Sequence, residues 1–226
     1  MRTKISFLLK IAVVVFCLLG LILNSVYSTY DGYTHWSKRL LYFTTQSNIW
    51  VLLITAILLI YPFTKAGREN RWTQSLYTVK FIFTVSIAIT AIVFCCFLGP
   101  FADESYHSWS FHSILLHAVV PSLMIADFFV DDTAVDLSGK TFFTIIIPPL
   151  CYFILAGVLC AFKYDYGRGE PYPYFFMNFY SPAGFFGFSD TPPFNIGSFY
   201  WILFFLLIML GVGKLFVTIK KKSVSK

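Results

Sequence analysis

Charge is what this sequence has least of. Only 12% of its 226 residues are Asp, Glu, Lys or Arg, about half the ~25% of a soluble domain. A chain this poor in charge cannot solvate a globular surface, and no stretch is both long and polar enough to fold outside a bilayer. Cysteine chemistry is missing too. There is no C-x-x-C pair, and Cys17, Cys95, Cys96, Cys151 and Cys160 all fall inside apolar runs, where a free thiol behaves as a small hydrophobe. That pattern gives no disulfide framework and no zinc site, so no metal is expected. Internal repeats and low-complexity segments are absent, as is the inverted symmetry of many transporters.

What is present is apolar and aromatic: 58% hydrophobic residues, with 27 Phe, 14 Tyr and 5 Trp. A bilayer core about 30 Å thick needs about 20 apolar residues of helix. Six runs meet that length, near 7–28, 40–62, 78–99, 111–130, 141–162 and 197–218. The expected fold class is all-α, one transmembrane domain of six helices over 1–226. The first run follows Arg2 and Lys4, as a signal peptide would. It is longer than a signal h-region and has no clear cleavage site, so it reads as a retained helix.

The net charge of +6 sits mainly at the ends of these runs. Thirteen of the 17 basic residues fall on one side of the six-span topology. Lys38, Arg39, Lys163 and Arg168 fall on the other. The positive-inside rule then makes both termini cytoplasmic, in a multi-pass protein of the cell membrane. The K-K-K run at 220–222 reads as an orientation anchor, and no nucleic-acid partner is expected. Of the outer connections, that near 100–110 is short and acidic. The other, 163–196, is long and dense in Tyr and Phe. Disordered segments are poor in aromatics, so it reads as an ordered cap, with Tyr172, Pro173, Tyr174 and Phe175 over the outer end of the bundle. A passive interfacial belt is the other reading.

Polar groups within spans suggest function by default. The second span opens with Y-F-T-T-Q-S-N at 42–48, and the fourth carries His112, His117 and Asp127. Counting from Arg39, Thr44 lies about 7–8 Å down its helix, and from Ser110, His117 lies about 10 Å down its own. A hydroxyl and an imidazole thus share one level under the outer leaflet. A threonine needs a base to become a nucleophile, and His117 is the group at hand. Ser47 and Asn48 share a helix face with Thr44 and are candidate oxyanion donors. Gln46 and Asn24 are supporting candidates, while Thr45, turned by about 100°, is the alternate nucleophile. His112 reads as interfacial. Asp127, about 15 Å below His117, is too deep to complete a triad. Each residue alone also has a structural reading, since membrane Thr and Ser bond back to the helix and Asn and Gln join helices. No cofactor is expected. Five residues separate the two histidines by about 140° around the helix, which disfavours haem.

Y-F-T at 42–44, H-A-V-V-P at 117–121 with Asp127, P-Y-P-Y-F-F at 171–176 and S-P-A-G at 181–184 run in an order that resembles the androgen-induced-protein family of intramembrane threonine hydrolases, in particular its bacterial relatives. The resemblance spans the second to sixth helices. It implies hydrolysis of lipid esters, notably fatty acid esters of hydroxy fatty acids, with Thr44 as nucleophile and His117 as base. Two positions depart from the animal members: the proline follows the histidine by four residues rather than five, and Asp127 stands where they carry Glu. The expected partners are membrane lipids and a lipid ester substrate. Two rivals predict other things. A non-catalytic lipid- or partner-binding module would keep the pocket without a reactive threonine. A small-molecule transporter would need a polar track across the membrane, which the apolar stretch 118–126 interrupts.

The orientation is testable with an impermeant thiol reagent on intact cells. Cysteines placed at either terminus or near Gly67 should be protected, and one near Gly167 should label. Labelling at a terminus would reverse the topology.

Overall fold

The computed structural model describes residues 2–100, 108–133, 136–191 and 195–224. The acidic residues of the short outer loop, Asp103 and Glu104, lie outside them. Six helices are long and apolar enough to cross a membrane: α1 (Thr3–Val26), α2 (Phe43–Phe63), α3 (Thr73–Leu98), α4 (Phe111–Val130), α5 (Gly139–Ala161) and α6 (Ser198–Lys222). The protein is therefore an all-α, multi-pass membrane bundle.

One boundary differs in a way that matters. The sequence places the start of α2 at residue 40, but Trp36–Leu41 forms a 3₁₀ turn and Tyr42 is extended (φ −90°, ψ 139°). Regular helix begins at Phe43, so Thr44 sits in its first turn.

Helix α3 is the centre of the bundle. Its Ile87 packs with Val13 and Cys17 of α1, Val51 of α2 and Met124 of α4. Its Phe81, Val85 and Ile89 belong to a second cluster with Phe128, Ile145 and Met209 of α4, α5 and α6. Thr84, Ser86 and Thr90 lie among these apolar residues, yet each hydroxyl donates to the carbonyl four residues back (2.7, 2.9 and 3.2 Å). The helix thus satisfies its own polar side chains. Between helices in lipid there is little hydrophobic drive, so close packing and polar links hold the bundle.

The strongest polar link closes the inner end. Lys10 of α1 approaches Asp127 at 3.0 Å and Asp131 at 2.8 Å, and Lys80 of α3 reaches the same two carboxylates at 2.7 and 2.9 Å. Ser6 donates to Asp127 at 2.6 Å, and Lys220 of α6 donates to the Phe128 carbonyl at 2.7 Å. Lys10 and Lys80, counted above as cytoplasmic flanking charges, are instead buried within the protein. The reason is direct: each has a carboxylate to neutralise it, which a headgroup-facing lysine would not need.

At the outer end, the described part of the 163–196 segment is an ordered cap. Tyr166, Phe176 and Met177 are buried, the last two against Tyr152 and Ala156 of α5 and Phe205 of α6. Gly167 fixes its edge. Its φ is +101°, and an added Cβ would lie 2.7 Å from the Lys38 Cβ. Its carbonyl accepts from the Thr34 amide at 2.8 Å.

Removing one partner of a buried ion pair costs about 3–5 kcal/mol, so Asp127→Ala should lower the unfolding midpoint in detergent strongly. Acid should act in the same direction. Burial alone would raise the Asp131 carboxyl, but Lys80 and Lys10 hold it well below the usual carboxylate range. Its contribution is then full above the unfolded value of about 3.9 and is lost as pH falls through the depressed one. A midpoint insensitive to both changes would mean that the cluster contributes nothing.

Candidate functional site

The geometry of the candidate base starts with a proline. Pro121 has no amide hydrogen, and a proline ring inside a helix presses on the carbonyl four residues earlier, which here belongs to His117. Helix α4 relieves this by widening into a π turn over Leu115–Val119, with His117 at its middle. Such bulges recur at functional sites because they turn a side chain off the regular helical face.

The imidazole is then fixed on three sides. Its Nδ1 lies 2.8 Å from the Ser113 carbonyl and 3.1 Å from the Ser113 hydroxyl. Phe94 stacks on the ring at 3.7 Å between centroids. A carbonyl can only accept, so Nδ1 carries the proton and Nε2 keeps its lone pair. That lone pair faces the Thr44 hydroxyl at 3.2 Å. The two residues paired from their matched depth are in hydrogen-bond contact. Thr45 is buried beside them; the bond to His117 is made by Thr44.

Ser47 and Asn48 do not take the oxyanion role expected of them. The Asn48 amide gives its hydrogens to the carbonyls of Thr44 (2.8 Å) and Leu116 (3.1 Å). The Ser47 hydroxyl lies 3.1 Å from the Thr44 carbonyl and 2.9 Å from the Thr90 hydroxyl. Side chains three and four residues after Thr44 reach back to its carbonyl, and both are sealed in the helix interface. They tether α2 to α3 and α4. Gln46 donates to the Leu40 carbonyl at 3.1 Å.

Asn24 accepts from Arg39, which also pairs with Asp31. His112, expected at the interface, is buried 2.9 Å from that same Asp31. Its ring lies parallel to Tyr27 at 5.7 Å. The segment between α1 and α2 folds inward and carries an aspartate to it. From sequence, Arg39 serves only for orientation and depth, and Asp31 is not singled out; their proximity to a span end is the available signal. Asp127 belongs to the inner cluster, away from the site.

Thr44 borders two cavities. The larger, about 410 Å³, has mixed walls: His117, Thr45, Asn24, Arg39, Arg168 and Glu170 beside Phe94, Phe97 and Leu98, with Tyr172, Pro173, Tyr174 and Phe175 of the cap. The smaller, about 50 Å³, is an apolar slot between Thr44 and Val93, Tyr152, Phe153, Phe205 and Met209. Tyr174 belongs to both. Burial pushes its phenol up to about 12, so it is protonated at neutral pH and can donate a hydrogen bond. Among the described residues, no cluster of His, Cys, Asp and Glu could hold a metal ion. No family model, curated protein or solved structure matches the chain.

Because Asn48 joins the backbones beside both Thr44 and His117, Asn48→Ala should loosen the pair. Two buried carbonyls would lose a donor, at about 1–3 kcal/mol each. A thermal midpoint in detergent equal to that of the parent would show that the tether carries no load.

Proposed function

We propose that the protein is an intramembrane hydrolase that cleaves lipid esters with Thr44 as nucleophile and His117 as general base. The observation that carries this reading is the placing of the ring: with Nδ1 2.8 Å from a carbonyl, which can only accept, His117 turns Nε2 to a hydroxyl at 3.2 Å. That is the arrangement a nucleophile and its base require.

In the reaction, Nε2 takes the Thr44 proton as Oγ1 bonds to the ester carbonyl carbon. Collapse of the tetrahedral species breaks the ester C–O bond, and the leaving alkoxide takes the proton from Nε2. An acyl-threonine remains. Water, deprotonated by the same nitrogen, then releases the acid and restores Thr44. The ring needs only the one nitrogen, since Ser113 holds the other throughout.

The two cavities give the substrate its two halves. The apolar slot suits the carbons of an acyl chain next to the ester, and its walls include Tyr152 and Phe153 of α5 and Phe205 and Met209 of α6. The wider cavity, which Asn24, Arg39, Arg168 and Glu170 border, suits the oxygen-rich half. A fatty acid ester of a hydroxy fatty acid has this form, and the resemblance to the androgen-induced family points to the same class. The site would work just under the outer leaflet of the cell membrane. A transport reading has less support, because Asp127 is fully buried in an ion-pair cluster and offers no polar step below His117.

In liposomes the protein should cleave such an ester. Thr44→Ala and His117→Ala should each lower turnover by at least about 10²-fold, with the double variant no worse than either, because the pair acts as one unit. Thr45→Ala should stay near the parent. A fluorophosphonate should form its adduct on Thr44. Full activity in Thr44→Ala would overturn the hydrolase reading in favour of a lipid-binding module.

A further inference from the structure

An ester hydrolase must receive the negative charge that develops on the carbonyl oxygen, and Ser47 and Asn48 cannot do so here. The nearest other donors lie where α2 begins. Tyr42 places no side-chain cap on that helix, whose first amides have no partner within the helix and carry the positive end of its dipole. Two phenols cover them. The Tyr152 hydroxyl lies beside the Phe43 amide, and the Tyr174 hydroxyl lies beside the amide and hydroxyl of Thr44 and beside Tyr152 itself.

A helix terminus alone would prove little, but Tyr152 adds a second observation. It is 3% exposed, and its hydroxyl is buried with no partner in hydrogen-bonding geometry. It borders the slot that Thr44 borders. A buried phenol in that state costs free energy until something accepts its proton. An oxygen arriving beside Thr44 would be that acceptor.

We propose that the hydroxyls of Tyr152 and Tyr174, set at the amino end of α2, form the oxyanion site of the reaction. The proposal rests on the hydrolase reading and adds to it the groups that stabilise its transition state. When Oγ1 bonds to the carbonyl carbon, the carbonyl π pair moves onto oxygen, and both phenols donate hydrogen bonds to it. When the ester C–O bond breaks, the pair returns to re-form the carbonyl. Neither phenol loses its proton, so the proton count stays with Thr44, His117 and the leaving alkoxide.

The phenols are also held in advance, which is what makes such donors effective. Tyr152 packs on Phe43 at 5.2 Å between centroids, and Tyr174 lies edge-on to Tyr42 at 5.7 Å and parallel to Phe176 at 5.1 Å. One donor comes from a span and the other from the cap. The cap therefore completes the site as well as covering it.

The test uses the full chain in liposomes. Tyr152→Phe and Tyr174→Phe should each lower kcat by about 10²-fold, the scale for one lost oxyanion donor, with KM within about two-fold. A long-chain alkyl trifluoromethyl ketone, which adds the Thr44 oxygen to give a stable oxyanion, should lose affinity by a similar factor. A non-reactive ether analogue should bind unchanged. If a phenylalanine variant unfolds, 3-fluorotyrosine at the same position keeps the shape and is a stronger donor, and kcat should hold or rise. Turnover by the parent with both phenylalanine variants within three-fold of it would overturn the oxyanion site alone. So would equal losses of ketone and ether affinity. A parent that neither cleaves ester nor labels at Thr44 would end the hydrolase reading, and this proposal with it.

Discussion

A charge inside a bilayer must find its counter-charge within the protein, and that requirement shapes both ends of this bundle. At the inner end, Lys10 and Lys80 share Asp127 and Asp131. This fixes α1, α3 and α4 around one neutral knot of four residues. At the outer end, Asp31 is shared by Arg39 and His112, which brings the segment after α1 against the starts of α2 and α4. The two knots differ in what they leave nearby. The inner one is packed shut, while Arg39 of the outer one also lines the large cavity. Thr44 and His117 thus lie on helices whose outer ends are tied together, and a 3.2 Å contact between two flexible spans becomes a fixed distance.

The site is local disorder of helical geometry held by global order of packing. Two departures from regular helix create it: the break at Tyr42, which makes Thr44 a first-turn residue, and the π turn at Leu115–Val119, which centres on His117. Asn48 spans them, bonding the Thr44 carbonyl on its own helix and the Leu116 carbonyl on α4. Cys17 of α1 donates to the Asn48 carbonyl at 3.2 Å, so three helices meet at that one asparagine.

Much of this is legible in the sequence, for a physical reason. Span number follows from apolar length, and depth follows from rise per residue, so the level shared by Thr44 and His117 could be computed. Rotation about the helix axis could not. A regular α2 from residue 40 and a regular α4 were assumed, and both are interrupted beside the site. The roles of Ser47 and Asn48 went astray for the same reason: a shared face shows which groups are near, while hydrogen-bond direction decides what they do. Asp31 and Tyr152 were invisible for another reason. Each gains its meaning from a partner distant in sequence, Asp31 from His112 and Tyr152 from Phe43.

The position of Thr44 in its helix also explains why its hydroxyl is free for His117. A threonine inside a membrane helix ordinarily donates to the carbonyl four residues earlier, as Thr84 and Thr90 do here. For Thr44 that carbonyl belongs to Leu40. The extended backbone of Tyr42 separates Leu40 from the helix, and the Gln46 side chain takes its carbonyl at 3.1 Å. The usual internal acceptor is thereby removed, and Nε2 of His117 stands in its place. A threonine one turn deeper would regain a backbone acceptor and lose its claim on the histidine. Placing the hydroxyl at the very start of the span frees an ordinary membrane threonine from its backbone acceptor and leaves it facing a base.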